Sequence, residues 1–439
     1  MATIKTAEVV VVGAGLSGLT AAAELNRQGF GVMLLESSSR IGGRAFPSVS
    51  KLGSHLDLGG QWVGHGHKRL AGLIKQAGAT TYKTPTDDQP VIVRDGRRLS
   101  YFSFPVILSI LYLVGLEIIS RTYVPKSWLS ISVDTAIDSW VPLQTTREIL
   151  RLLISLTSSA ELGKYSLYSF AKMIPPCGGL LTMLGTDGGA QDSLVAESMG
   201  SVLSVLETQL PGKIFTNTCV AKIETDTNGA ATITTASGEQ ILAKRVIITV
   251  PPPMLPSITF SPPLPEIHQT VQRTTQMGVV YKAFAIYEEP FWRDKIGGEI
   301  FVLDEPAFGV FDTTAPGGPG HLCFLVTGTP ARWLDQMDID SRRDFLLSKL
   351  VAIIGPQVRA LSDWQEIAWH ENRYYGGGYV AFPLIGTTDG MLPVPHKPVN
   401  NLHWAGTETA EDHPGYFEGA IQSGERAAEE VARALNSSN

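Results

Sequence analysis

The run VVVVGAGLSGLTAAAELNRQGFGVMLLE, residues 9–36, limits the fold of this chain more than any other stretch. Val9 to Val12 is a continuous β-branched run, as expected of a strand buried on both faces. Gly13, Gly15 and Gly18 follow at once as G-x-G-x-x-G, an alanine-rich helix is predicted to Gln28, and Gly29 closes it. Val32 to Leu35 reads as a second strand, with Glu36 at its end. Each glycine has a task. Gly13 permits the tight turn, Gly15 lets the backbone approach a pyrophosphate, and Gly18 lets helix and strand pack closely. The helix start offers unpaired N–H groups and a positive dipole end to the phosphates, and Ser17 in its first turn is assigned with them. Glu36 can accept hydrogen bonds from both ribose hydroxyls and would repel a 2′-phosphate. A dinucleotide-binding, Rossmann-like α/β unit is the expectation.

At 439 residues the chain exceeds one ordinary core, so two domains or an interleaved pair is expected. A net charge of −7 argues against nucleic acid as a partner. Cys177, Cys219 and Cys323 lie far apart without a C-x-x-C pair, which suits a reducing, cytoplasmic setting and offers no zinc site. The stretch MATIKTAE has no apolar signal-peptide core.

A second glycine pair, Gly42 and Gly43, lies between Arg40 and Arg44, and LDLGGQWVG follows with Gly59, Gly60, Gln61 and Trp62. An extra cation near a diphosphate, and bare backbone beside a ring system, suit a long and permanently held ligand. Here the chain resembles the flavin amine oxidase family, which includes monoamine and polyamine oxidases and carries these motifs in this order. The resemblance implies FAD as cofactor. It also implies a discontinuous, glutathione-reductase-like FAD domain (1–82, 203–272 and 377–439) interleaved with an α+β substrate-binding domain (83–202 and 273–376). Within the strand-like stretch after residue 213, hairpin signals stand at Asn228-Gly229 and Ser237-Gly238. By resemblance, Val220 meets the adenine through its backbone, and Pro251 to Pro253 mark the exit from the domain. VAESMGSVL retains only Gly200 where the family usually carries a glycine pair. DGGAQD places Gln191 as a candidate for the substrate cavity.

In MGVVYKAFAIYEEPFWR both faces of a period-two strand are apolar, with Lys282 as its one charge. A buried lysine needs a partner or a task, and the alternative is a side chain snorkelling from a strand end. By resemblance, Lys282 occupies the position of the lysine that holds a water at flavin N5.

The C-terminal part carries WHENRYYGGGYVAF and then NLHWAGTETAEDHPGYFEGAIQSGERAAEEVARAL. A helix beginning near Gly415 would aim its first N–H groups at negative charge. By resemblance, Gly406, Thr407, Glu408, Gly415, Tyr416 and Phe417 join the cofactor site, as does Trp369. Tyr379 and Tyr416 correspond to the two tyrosines that flank the amine before the ring. The glycine triplet 376–378 is read as bare backbone lying against the isoalloxazine. Monoamine oxidases carry at the position of Gly378 a cysteine bonded to the flavin, so non-covalent FAD is expected. No hydrophobic segment follows the last helix, so no membrane anchor is expected. The apolar stretch 105–119 is read as a buried or half-buried helix, with a lip at a cavity mouth as the alternative.

The implied activity is oxidation of a small-molecule amine. A hydride equivalent passes from the α-carbon to flavin N5, the imine hydrolyses to an aldehyde or ketone, and O₂ reoxidises the flavin to give H₂O₂. The cage is Lys282, Tyr379 and Tyr416, and a homodimer is allowed. Oxidation of an L-amino acid would need an arginine clamp, for which Arg98 and Arg121 are available. Oxidation of a secondary-metabolite amine or amide stays open as well, and so does a flavin-binding module without chemistry. His65 and His67 are read as solvated loop residues rather than ligands.

Overall fold

The computed structural model describes residues 5–86, 89–226, 229–387 and 393–437. Its first sheet has Lys5–Val12 at the centre, parallel to Val32–Leu35 on one side and to Gln240–Ile248 on the other. Beyond Val32–Leu35 lies Ile214–Phe215. Beyond Gln240–Ile248 come the antiparallel strands Ala231–Thr235 and Val220–Thr225, then Thr259–Ser261, while Leu402–Trp404 pairs with the end of Gln240–Ile248. Thus the chain enters this sheet near its start, again in its middle and once more near its end.

The valine run is apolar throughout because both faces of its strand are covered. Val9 and Val11 pack under the helices Leu16–Arg27 and Phe417–Asn436, whereas Val10 and Val12 face Ile223, Ile233, Ile248 and Trp404. The two helices cross closely. A Cβ at Gly424 would come within 2.4 Å of the Ser17 carbonyl oxygen. Head and tail of the chain are locked together here.

The second sheet runs Asp363–Ala368, Val280–Tyr287, Gly320–Thr327, Phe308–Asp312, Glu299–Val302, Val91–Arg94 and Arg97–Leu99. All neighbours are antiparallel except Glu299–Val302 and Val91–Arg94. One face packs on the helix Ile339–Ile354. The other presents Phe284, Ile286, Phe311 and Leu325 towards the first sheet's loops. A helical layer, including Gln144–Ser158 and Leu167–Met173, closes the space between them. Of the two expected hairpin turns, Thr235–Glu239 is closed by Gly238 in the left-handed region; Asn228 lies outside the described residues.

The stretch 105–119 is helical, within Phe104–Arg121, and half-buried: Leu108, Tyr112, Leu116 and Ile119 are of intermediate exposure. Only Val106, Ser109, Leu113 and Ser120 are buried, while Phe104, Ile107, Leu111, Val114 and Ile118 are exposed. Apolar residues occupy every face, and the helices beneath cover one narrow stripe.

Candidate active site

One cavity of about 630 Å³ runs from the Gly13–Ser17 turn to the front of the second sheet. Gly13 adopts φ +104° and donates to the Leu35 carbonyl at 2.8 Å. Gly18 does not line the cavity. A Cβ there would lie 1.9 Å from the Gly13 carbonyl oxygen, so its bareness serves helix–strand packing. Gly15 faces Gly43 across the groove, where a Cβ at Gly43 would lie 3.1 Å from Gly15 Cα. Glu36 lines the same end, its two carboxylate oxygens accepting the N–H groups of Ala14 and Ser38, each at 2.8 Å. These bonds hold the acid in place where a ribose would arrive. Ser17, Gly42 and Val220 are beside it.

Arg40 is elsewhere. Its guanidinium lies 4.1 Å over the Phe46 ring and donates to the carbonyls of Ile41, Gly43 and Ala45, so it braces the glycine turn and does not line the cavity. Arg44 does line it. That side chain pairs with Glu408 at 2.7 Å and donates to the Tyr379 carbonyl at 2.6 Å. Glu408 stands behind the wall and also accepts the Ala381 N–H at 3.2 Å.

The middle of the cavity is bounded by Gly59, Gly60, Gln61 and Trp62 on one side and by Gly406, Thr407, Gly415 and Phe417 on the other. Thr407 ties the tail loop, since Oγ1 accepts from Gly415 N–H at 2.7 Å and donates to the Tyr416 carbonyl at 2.9 Å. Tyr416 then caps the helix Phe417–Asn436. Trp369 lines the floor and donates its indole N–H to the Leu58 carbonyl at 2.9 Å.

Tyr379, Tyr416 and Lys282 are brought together on this cavity. Burial pushes both phenols well above the ordinary tyrosine value, so they stay neutral. Lys282 is 3% exposed and donates to the Asp57 carbonyl at 2.6 Å, the Gly59 carbonyl at 2.7 Å and Gln61 Oε1 at 2.8 Å. An ammonium has three protons, and each is used. Burial lowers its proton affinity, and these three acceptors sustain the charge. The snorkelling alternative is excluded, because the side chain points inward.

The glycine triplet needs correction. A Cβ at Gly376 would meet Met254 Sδ at 2.6 Å, and one at Gly377 would meet the Gly278 carbonyl oxygen at 2.1 Å. Both residues also sit at positive φ. Neither lines the cavity; Gly378 alone does, and the nearest atom to a Cβ there is Val280 Cγ1 at 3.8 Å. Two of the three glycines are therefore demanded by protein neighbours. His67 is corrected too. It is 4% exposed, its Nδ1 accepts the Gly64 N–H at 2.9 Å, and its ring meets those of His413 at 5.0 Å and Tyr416 at 5.4 Å. Burial pushes its pKa down to about 4, which keeps it neutral. His65 is exposed, as expected.

The substrate end is apolar: Leu153, Leu156, Met173, Met183, Phe311 and Leu325 line it with Gln191. Sequence reasoning found Gln191 and missed the rest, which carry no motif. It also missed Ser159, whose hydroxyl accepts the Tyr379 N–H at 2.6 Å. Arg98 and Arg121 lie outside. The first donates to the carbonyls of Lys295 and Ile353, and the second pairs with Glu117. Gly200 lines no part of the cavity.

The profile of the family "Flavin containing amine oxidoreductase" matches residues 16–117 and 154–432, so the chain belongs to that family. A Mycobacterium tuberculosis protein provisionally named flavin-containing monoamine oxidase AofH is 31% identical over 98% of this chain and 97% of its own. Bovine flavin-containing amine oxidase B is 30% identical over 98% of this chain and 86% of its own. Cyclohexylamine oxidase from Brevibacterium oxydans superposes with TM-score 0.92 at 24% identity over 98% and 99% of the two chains, and a putrescine oxidase variant with TM-score 0.90 at 23% over 98% and 100%. Those two structures share the fold. This chain is a flavin-containing oxidoreductase acting on amines.

Proposed function

We propose that the protein holds FAD without a covalent bond and oxidises lipophilic monoamines. The observation that carries the reading is the convergence of Tyr379, Tyr416 and Lys282 on the cavity that begins at the Gly13–Ser17 turn. The residues fit the cofactor: a bare glycine groove, a buried helix start with Ser17, and Glu36 where a ribose would lie. Gly378 supplies no sulfur for a covalent link.

When bound, the flavin supplies the two-electron acceptor for the amine's α-carbon hydrogen and passes the electrons to O₂, yielding H₂O₂ and an imine that water converts to the carbonyl product. The apolar end disfavours a charged amine, so the substrate sheds its proton on entry. The faces of Tyr379 and Tyr416 orient the nitrogen by contact with their π-systems. Lys282, buried and cationic, places positive charge beside the Gly59–Gln61 turn and can direct a water there when one of its three acceptors yields. Among the described residues the lining around Gln191, namely Leu153, Leu156, Met173, Met183, Phe311 and Leu325, carries no arginine and no carboxylate, which disfavours amino acids and the second ammonium of a diamine. A reducing, cytoplasmic setting fits the acidic composition and the three unpaired cysteines.

A panel of monoamines, diamines and L-amino acids, read by peroxide release, tests this. Turnover of aliphatic or aromatic monoamines is expected. Preferred turnover of a diamine or amino acid would overturn the substrate reading.

A further inference from the structure

Tyr379 is anchored in an uneven way. Among the described residues its buried phenolic oxygen has no hydrogen-bond partner, so no protein group there fixes the ring at its tip. The ring's position therefore depends on the backbone that carries it. Arg44 holds the Tyr379 carbonyl at 2.6 Å. The other side of the residue rests on Ser159. The Ser159 hydroxyl accepts the Tyr379 N–H at 2.6 Å, while its one proton serves the carbonyls of Gly378 and Ser158.

Ser159 suits the task. It is fully buried, sits at φ +53° immediately after the helix Gln144–Ser158, and its own carbonyl accepts the Val279 N–H at 2.8 Å. That helix contributes Leu153, Leu156 and Thr157 to the cavity. No larger neighbour fits: a Cβ at Gly278 would lie 2.0 Å from Ser159 Oγ and 2.0 Å from the Gly378 carbonyl oxygen. A single hydroxyl thus joins the helix that shapes the substrate end to the peptide that carries one wall of the tyrosine slot.

We propose that Ser159 is a positioning residue for amine oxidation, setting the distance between the Tyr379 ring and the apolar wall. This rests on the reading of Tyr379 as a slot wall given above. Removing the hydroxyl leaves a buried N–H unpaired and lets the ring drift, which slows the step that needs the amine aligned and leaves the step that needs only O₂ untouched.

The test uses the FAD-loaded protein and two variants with opposite backbone preferences, Ser159→Gly and Ser159→Ala. Amide hydrogen exchange at Tyr379 is expected to accelerate about tenfold or more in both. Anaerobic flavin reduction by a monoamine is expected to slow about tenfold, with O₂ reoxidation unchanged. Unchanged exchange at Tyr379 overturns the clamp. An unchanged reduction rate, or an equal loss in reoxidation, overturns the positioning role. If no amine reduces the wild-type flavin, the functional reading fails, whereas the exchange measurement still decides whether the clamp exists.

Discussion

Arg44 and Glu408, 364 residues apart in sequence, form a bidentate pair with Nη1–Oε1 at 2.7 Å and Nη2–Oε2 at 3.2 Å. The pair joins the glycine turn after the second strand to the loop before the last helix. Through the Tyr379 carbonyl and the Ala381 N–H it also grips the segment 379–381 that carries one wall of the slot. Glu408 is 3% exposed in its side chain and Arg44 22%, so either alone would be a poorly solvated charge.

Glu408→Gln is therefore expected to destabilise the protein by about 3 kcal/mol and to weaken FAD retention. Thermal unfolding with and without added FAD checks it. Arg44→Met combined with Glu408→Leu is expected to lose less than the two single changes summed, because neither charge is then stranded.

Lys282→Met removes the donor to three acceptors while leaving the apolar stem of the side chain. Flavin reoxidation by O₂, or turnover as a whole, is expected to slow by roughly tenfold to a hundredfold with FAD still bound. Stopped-flow absorbance measures it. A wild-type rate would remove Lys282 from the mechanism.

FAD held without a bond is expected to leave the protein on acid precipitation, giving a yellow supernatant. A yellow pellet would show a covalent link made through another residue.

Acid should destabilise the fold before its carboxylates titrate. Burial depresses the pKa of His67 and of His321 to about 4, so each binds a proton more readily unfolded than folded between about pH 4 and pH 6.5. Stability contributed by their neutral forms is full above pH 6.5 and is lost as pH falls through that window, up to about 3 kcal/mol each. Asp57 opposes this. Its pKa is pushed up to about 7, so its protonated form favours the folded state and that contribution is lost as pH rises from about 4 to 7. Denaturant titrations from pH 4 to pH 7 should show net stabilisation with rising pH. His321→Asn should flatten the slope.

How much of this was legible in the sequence depended on what each residue answers to. The 9–36 unit was readable element by element, because a strand buried on both faces, a glycine turn and an alanine helix leave distinct patterns. Lys282 was readable because a lone charge in an apolar strand demands partners. Arg40 was misplaced because composition shows a cation near the turn but not that it stacks on Phe46 and bonds carbonyls. The triplet was half understood: nothing local reveals that Gly278 passes behind Gly377. His67 lies in a loop-like string yet is buried by His413 and Tyr416, some 350 residues away. Ser159 and the apolar lining belong to tertiary contacts with no periodic signature. The exposed side of Phe104–Arg121 could not be read either, since a helix with apolar residues on every face does not say which face is covered.

The most direct test of the tyrosine-walled flavin site is anaerobic mixing of the yellow protein with a lipophilic monoamine, followed by admission of O₂. Bleaching of the visible flavin absorbance, then its return with release of H₂O₂, is the expected result, with bleaching strongly slowed in Tyr379→Ala. A flavin-loaded protein that no amine bleaches, or one whose bleaching is indifferent to both Tyr379 and Tyr416, would contradict the account.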